Sequence, residues 1–179
     1  PIKQYRHLFG TIFQDFVMFS LSLRENIALG DLDRMNKDED IYKVVCRSQL
    51  NEIFEPLEKF LDTHIGSDFE NGVNLSNGQI QRIALARALF RNSEIMIFDE
   101  PTASMDANSE YEIMKKYKEL TSRKISFMVS HRLSSTTMAD KIIFIKNGEI
   151  YEQGDHAKLM ADNLEYAKMF RRQAENYFV

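Results

Sequence analysis

The sequence predicts an α/β fold with a mainly parallel sheet and an all-helical subdomain, on three observations. Short continuous apolar runs, IMIF at 95–98, ISFMV at 125–129 and IIFI at 142–145, have the length and content of strands buried on both faces, as in a parallel sheet covered by helices. A helical stretch, DANSEYEIMKKYKEL, separates the first two runs and makes a strand-helix-strand unit of sensible length. Residues 20–91 lack strand-like runs and carry repeated helix signals instead.

From the N-terminus, a strand is expected near Phe9 to Phe13. Ser22-Leu23-Arg24-Glu25 is a capping box that opens a short helix closed by Gly30. Asp38 to Ser48 places Ile41, Val44 and Val45 at helical spacing, and Asn51 to Thr63 carries Ile53, Phe54, Leu57, Phe60 and Leu61 on a similar stripe around Pro56. Ser76 with Gln79 three residues on is a second capping box, followed by Ile80, Ile83, Ala84 and Ala88 as an apolar face. Between the apolar runs at 95 and 125, Asp106 is the expected N-cap of a helix whose face holds Ile113, Tyr117 and Leu120. Asn147-Gly148 is a strong hairpin signal and predicts that an antiparallel pair ends the sheet. From about Asp155 to Phe178 the pattern is helical again. The expected organisation is a core lobe of residues 1–19 and 92–179 and a helical subdomain of residues 20–91.

Composition excludes several classes. A length of 179 residues with 44% hydrophobic content is enough to bury a core. No apolar run approaches the ~18 residues that cross a bilayer. A net charge of −4, with both signs mixed along the chain, gives no basic field of the kind that attracts nucleic acid. The lone Cys46 permits no internal disulfide, and the Cys and His residues have no zinc-ligand spacing. The chain starts at Pro1 within ordinary folded sequence, which reads as a piece of something longer.

Three local features carry chemistry. In NLSNGQIQR, residues 74–82, the helix start holds a small hydroxyl and a glycine in place of good helix formers. Gly78 near a helix N-terminus costs about 1 kcal/mol against Ala, but leaves amides uncovered where the helix dipole favours an anion. A plain helix cap beside a glycine loop would look the same. IMIFDEP delivers Asp99 and Glu100 at the C-terminal end of a buried strand, the edge where open α/β sheets bind ligands. Adjacent carboxylates point to opposite sides of an extended chain, so one can face a metal ion's waters and the other an attacking water. Acids at a strand end also serve as solvated caps. In VSHRLSS the next strand ends at Ser130 and His131; if the two strands are neighbours, His131 emerges at the same edge. His7, His64 and His156 have no such company.

On these residues the chain resembles the nucleotide-binding domain of ABC transporters, and more narrowly of the exporter type, along essentially its whole length. FQD at 13–15 resembles the Q-loop, LSNGQ at 75–79 the ABC signature, IMIFDE at 95–100 the Walker B strand, SMD at 104–106 the D-loop and SHR at 130–132 the histidine switch. LRENI at 23–27, NGVNLSNGQ at 71–79, SHRLSS at 130–135 and ADKIIFIKNGEIYEQGDHAKLM at 139–160 are the exporter-like flanks. The resemblance implies a P-loop NTPase-like core and assigns roles with ATP and Mg²⁺ as cofactors. Asp99 orients Mg²⁺ through water, Glu100 is the general base, Gln14 senses Mg²⁺ and the nucleophile, and His131 contacts the γ-phosphate. Ser76, Asn77, Gly78 and Gln79 bind the γ-phosphate of an ATP held by a second nucleotide-binding domain, since the family dimerises head to tail, and Asp106 lies at that interface. The helical arm meets transmembrane domains, which places the chain at the cytoplasmic face of a membrane and excludes nucleic acid as a partner.

Two departures qualify this. No GxxxxGK[ST] occurs, and none of the seven glycines is followed by Lys, so the P-loop and the strands before the Q-loop are missing. The 179 residues alone are therefore expected to be an inactive fragment. Asn77 stands where the family has Gly, and Asn tolerates left-handed backbone better than most residues. The expected function is the ATP-hydrolysing domain of an exporter; the alternative is a non-hydrolysing module that lends its signature face to a partner. Glu100 and His131 favour the first.

Overall fold

The computed structural model describes residues 2–15, 17–69, 71–102 and 107–177. They fall into two compact units, residues 1–103 with 120–129, and residues 104–119 with 130–179. In chain order the elements are α1 (Ile2–His7), β1 (Phe9–Ile12), α2 (Leu23–Ala28), α3 (Asp38–Arg47), α4 (Asn51–Phe54), α5 (Asn77–Phe90), β2 (Ile95–Asp99), α6 (Ala107–Leu120), β3 (Ile125–Val129), α7 (Leu133–Thr136), β4 (Ile142–Lys146), β5 (Glu149–Gly154), α8 (His156–Asp162) and α9 (Glu165–Tyr177).

The first unit is built on a parallel sheet in the order β1-β2-β3. Ile12 pairs with Phe98, and Asp99 with Val129, so the three strands end together. Ile12, Met96 and Phe98 are buried on one face, while their neighbours along β1 and β2 are half-buried. β3 departs from the expectation of burial on both faces: Ile125, Phe127 and Val129 are 61%, 55% and 54% exposed. Among the described residues β3 pairs only with β2 and forms an edge, and an apolar run reports what a strand is made for, not which neighbours are beside it.

α5 packs against α2, α3 and β1. The sequence predicts one apolar face, but Ile83, Ala84, Leu85, Ala86, Ala88, Leu89 and Phe90 are all buried, so the helix is enclosed on most sides. Leu23 and Ile27 of α2, Ile41 and Val45 of α3, and Phe54 of α4 complete the helical core. Gly30 does more than stop α2: a Cβ there would come within 2.3 Å of the Arg87 carbonyl oxygen, so the loop approaches α5 too closely for a side chain. The stripe from Asn51 to Thr63 is not one helix. α4 stops at Phe54, Glu55 precedes Pro56, and only a single 3₁₀ turn follows at Phe60–Asp62.

The capping box on α2 forms as predicted: the Ser22 N–H donates to Glu25 Oε2 at 2.8 Å, and the Glu25 N–H to Ser22 Oγ at 3.2 Å. The Ser22 N–H, and the Ser22 hydroxyl that donates to Glu25 Oε2 at 2.7 Å, hold the Glu25 carboxyl below its usual range. Nearby, Arg24 holds Asp38 low and Arg34 holds Asp40 low. A depressed carboxyl stabilises the fold fully above its unfolded pKa, and that contribution is lost as pH falls through the folded value. Ser22→Ala is therefore expected to cost about 1 kcal/mol at neutral pH, and the cost should shrink between about pH 5 and pH 3 as Glu25 protonates in both proteins. Urea melts across that range check it; a cost that stays constant with pH sinks the linkage.

In the second unit, β4 and β5 form an antiparallel hairpin turned at Asn147 and Gly148, whose φ values of 55° and 80° are the double left-handed signature of a tight hairpin. Among the described residues the hairpin is a sheet of its own and does not end the parallel sheet as expected, because the Asn-Gly turn fixes pairing locally and carries no information about which sheet to join. Ile142, Leu159 and Tyr166 form its core, with Phe144, Met160, Met169 and Phe170 packed against them. The helical pattern expected from about Asp155 forms two helices, separated at Asn163 with φ 54°. Asp155 caps α8, and Glu152 Oε1 accepts the Glu165 and Tyr166 N–H groups at 2.9 and 3.1 Å to cap α9.

Candidate functional site

The site residues of the first unit sit on two platforms, the common end of the parallel strands and the start of α5. Asp99 is the last residue of β2 and Glu100 follows it, both half-buried. Glu100 has φ 44°, a left-handed backbone rare for a residue with a Cβ, and its N–H donates to the Val129 carbonyl at 3.0 Å. Pro101 and Thr102 are buried behind it. Gln14 lies two residues past the end of β1, and Glu100 two residues past Phe98, which pairs with Ile12. The parallel register thus carries Gln14, exposed, to the same sheet edge as Asp99 and Glu100.

Ser76 caps α5 with extended backbone. Its hydroxyl accepts the Gln79 N–H at 3.4 Å and its N–H donates to Gln79 Oε1 at 2.8 Å. That reciprocal pair occupies both side chains and the Gln79 N–H, and leaves the Asn77 and Gly78 N–H groups, which have no partner inside the helix, for an external acceptor. Asn77 is the first residue of α5 and does not have positive φ, so the change from Gly brings no left-handed strain, and the tolerance of Asn for such backbone is not called upon.

Two contacts that spacing alone did not reveal anchor α5. Gln81, 2% exposed, donates its side-chain amide to the Pro101 carbonyl. Arg87 donates to the Asn26 carbonyl at 2.9 Å, to Asn26 Oδ1 at 3.1 Å and to the Val17 carbonyl at 3.1 Å, and its guanidinium lies 5.7 Å from the centre of the Phe19 ring. Asn26, fully buried, in turn donates to the Phe19, Leu21 and Ser22 carbonyls. Burial pushes the Arg87 pKa down. The same helix that presents the signature turn therefore holds both the segment after Gln14 and the turn after Glu100. The sequence signals for this were Gln81 and Arg87, two of the polar residues within a helix that is mostly apolar from Ile80 to Phe90.

His131 belongs to the second unit and is exposed; its carbonyl accepts from Gln173 at 2.9 Å. The turn around it is fixed by Ser130 Oγ, which accepts the Arg132 N–H at 3.0 Å and the Ser135 hydroxyl at 2.7 Å. Arg132 also pairs at 3.0 Å with Glu110, which is fully buried. Asp106, and the whole SMD stretch at 104–106, lie outside the described residues.

The donor chemistry at the sheet edge fits Mg²⁺: a hard carboxylate at Asp99 and an amide oxygen at Gln14, for an ion that takes one or two protein ligands and fills its octahedron with waters and phosphates. Among the described residues no group of three or more His, Cys, Asp and Glu is placed to enclose a metal, so the edge is not an all-protein metal cage. No helix among the described residues is long and apolar enough to cross a membrane.

The sequence profile of the ABC transporter family matches residues 1–103. The chain is 37% identical over 170 residues to the nisin transport ATP-binding protein of Lactococcus lactis subsp. lactis, a match covering 95% of this chain and 28% of that protein. It is 39% identical over 167 residues to the ATP-dependent lipid A-core flippase of Pasteurella multocida, covering 93% of this chain and 28% of the flippase. Its fold matches a bacterial Atm1-family ABC exporter with ATP bound at a TM-score of 0.81 and 31% identity, over 96% of this chain and 29% of the exporter chain. The chain thus spans less than a third of the length of the relatives it matches.

Proposed function

The chain belongs to the ABC transporter family, and from that membership we propose that it is the C-terminal part of an ATP-binding and ATP-hydrolysing domain that powers export across a membrane. The observation that carries this is the common sheet edge, where Asp99 ends β2, Glu100 follows it, and Gln14 lies two residues past the end of the adjacent parallel strand β1. Asp99 would hold Mg²⁺ through its water shell, and the ion would supply positive charge against the charge that develops on the phosphate. Glu100 takes the proton of the attacking water, and Gln14, on an exposed loop, orients that water. His131 donates toward the γ-phosphate.

The bare start of α5 serves a different nucleotide. Ser76, Asn77, Gly78 and Gln79 close over the γ-phosphate of an ATP bound by a second nucleotide-binding domain, and Asp106 lies between the two domains. The helical subdomain, residues 20–91, docks on transmembrane domains and passes closure to them, with the whole at the cytoplasmic face. The relatives' transport of nisin and their lipid A-core flipping support an exporter of this general kind.

The head-to-tail arrangement has a direct test in the full-length protein. Gly78→Asp places a carboxylate against the phosphate, and Glu100→Gln removes the base, so each variant alone is expected to be inactive. A mixture of the two copies assembles one site carrying both defects and one carrying neither. ATPase activity of the mixture well above that of either parent is the expected result; no recovery would place signature and base in the same site and overturn the arrangement.

A further inference from the structure

Glu100 is held in a conformation that it would not adopt unaided. At φ 44° its backbone is in the left-handed region, which for a residue with a Cβ persists only where the surroundings enforce it. Pro101 has no N–H and cannot lock the turn by a backbone hydrogen bond of its own. Two outside hydrogen bonds bracket the residue instead: the Glu100 N–H to the Val129 carbonyl at 3.0 Å, and the Gln81 amide to the Pro101 carbonyl. Gln81 is almost completely buried on an apolar helix, where an unsatisfied amide is costly, so its bond to Pro101 is strongly favoured over none.

We propose that Gln81 is a positioning residue for Glu100, and that through it the signature turn is mechanically linked to the base of its own chain. Gln81 lies two residues past Gln79 on one continuous helix, α5. A displacement of the helix start, as when that turn closes on a phosphate, moves the Gln81 amide and with it the carbonyl that fixes the Glu100 backbone. The base is then better placed, by about the tenfold that loss of the Gln81 donor costs, when the signature of its own chain is engaged, and it retains a reduced activity when that signature is free. This rests on the reading of Glu100 as the general base.

The test uses the full-length protein. Gln81→Met keeps the volume and removes the donor; it is expected to lower kcat about tenfold with the KM for ATP changed less than twofold, since a misplaced base affects the chemical step. In a Glu100→Gln background, Gln81→Met should reduce the residual hydrolysis no further, because the two residues act as one unit. Gln81→Leu, which also removes the donor at similar volume, is read in its place if Gln81→Met does not fold. A kcat within twofold of wild type, or a loss that persists undiminished in the Glu100→Gln background, overturns the proposal. If Glu100→Gln by itself leaves hydrolysis intact, it is the reading of the base that fails.

Discussion

Glu100→Gln in the full-length protein is expected to lower ATP hydrolysis by about 10²- to 10³-fold while leaving nucleotide binding near the wild-type level. The substitution is nearly isosteric and keeps the backbone at φ 44° and its N–H bond to Val129. What it removes is proton affinity: a carboxylate can take the proton of an attacking water, and a neutral amide cannot. Phosphate and metal contacts made by other groups persist, so ATP should be retained unhydrolysed. Steady-state Mg-dependent ATPase activity together with equilibrium ATP binding separates the outcomes. A loss smaller than tenfold would move the base elsewhere. A wild-type protein that binds ATP and never hydrolyses it would favour a regulatory module lending its signature to a partner.

The elements that carry the proposed site residues were legible because they are local. Ser76 and Gln79 are three apart and their capping box is a backbone necessity at a helix start, so pattern and structure coincide. Asp99 and Glu100 end a strand whose apolar content left little choice of element. The parallel pairing of β2 and β3 followed from the strand-helix-strand spacing. Contacts between distant residues were not legible. Nothing near Gln81 in sequence names Pro101, twenty residues away, and nothing near Arg87 names Val17, seventy residues away. The exposure of β3 escaped for a related reason. Ile125, Phe127 and Val129 have the composition of a central strand, and only the arrangement of neighbours decides whether they are covered. The stripe around Pro56 is split because proline has no N–H to continue the helical ladder: Glu55 keeps a right-handed helical backbone, yet α4 ends at Phe54.

The purified 179-residue chain by itself is expected to show no measurable Mg-dependent ATPase. Hydrolysis in P-loop NTPases depends on a backbone cradle and a lysine that hold the β- and γ-phosphates in line with the attacking water. These residues contain no GxxxxGK[ST], and the acids at the sheet edge repel an unneutralised triphosphate. In the proposed role Asp99 would recruit Mg²⁺ only weakly without phosphate oxygens to share the ion, since Mg²⁺ is usually bound through one or two carboxylates plus substrate phosphates. Glu100 can then be correctly placed and still have no substrate to act on. The exposed β3 edge, with Ile125 and Phe127 more than half uncovered, predicts in addition that the isolated chain self-associates. Size-exclusion chromatography and circular dichroism establish that the sample is folded, and phosphate release with Glu100→Gln as the control excludes a contaminant. Activity that the folded chain shows and Glu100→Gln abolishes would mean that these residues assemble a phosphate cradle of a kind their sequence does not reveal.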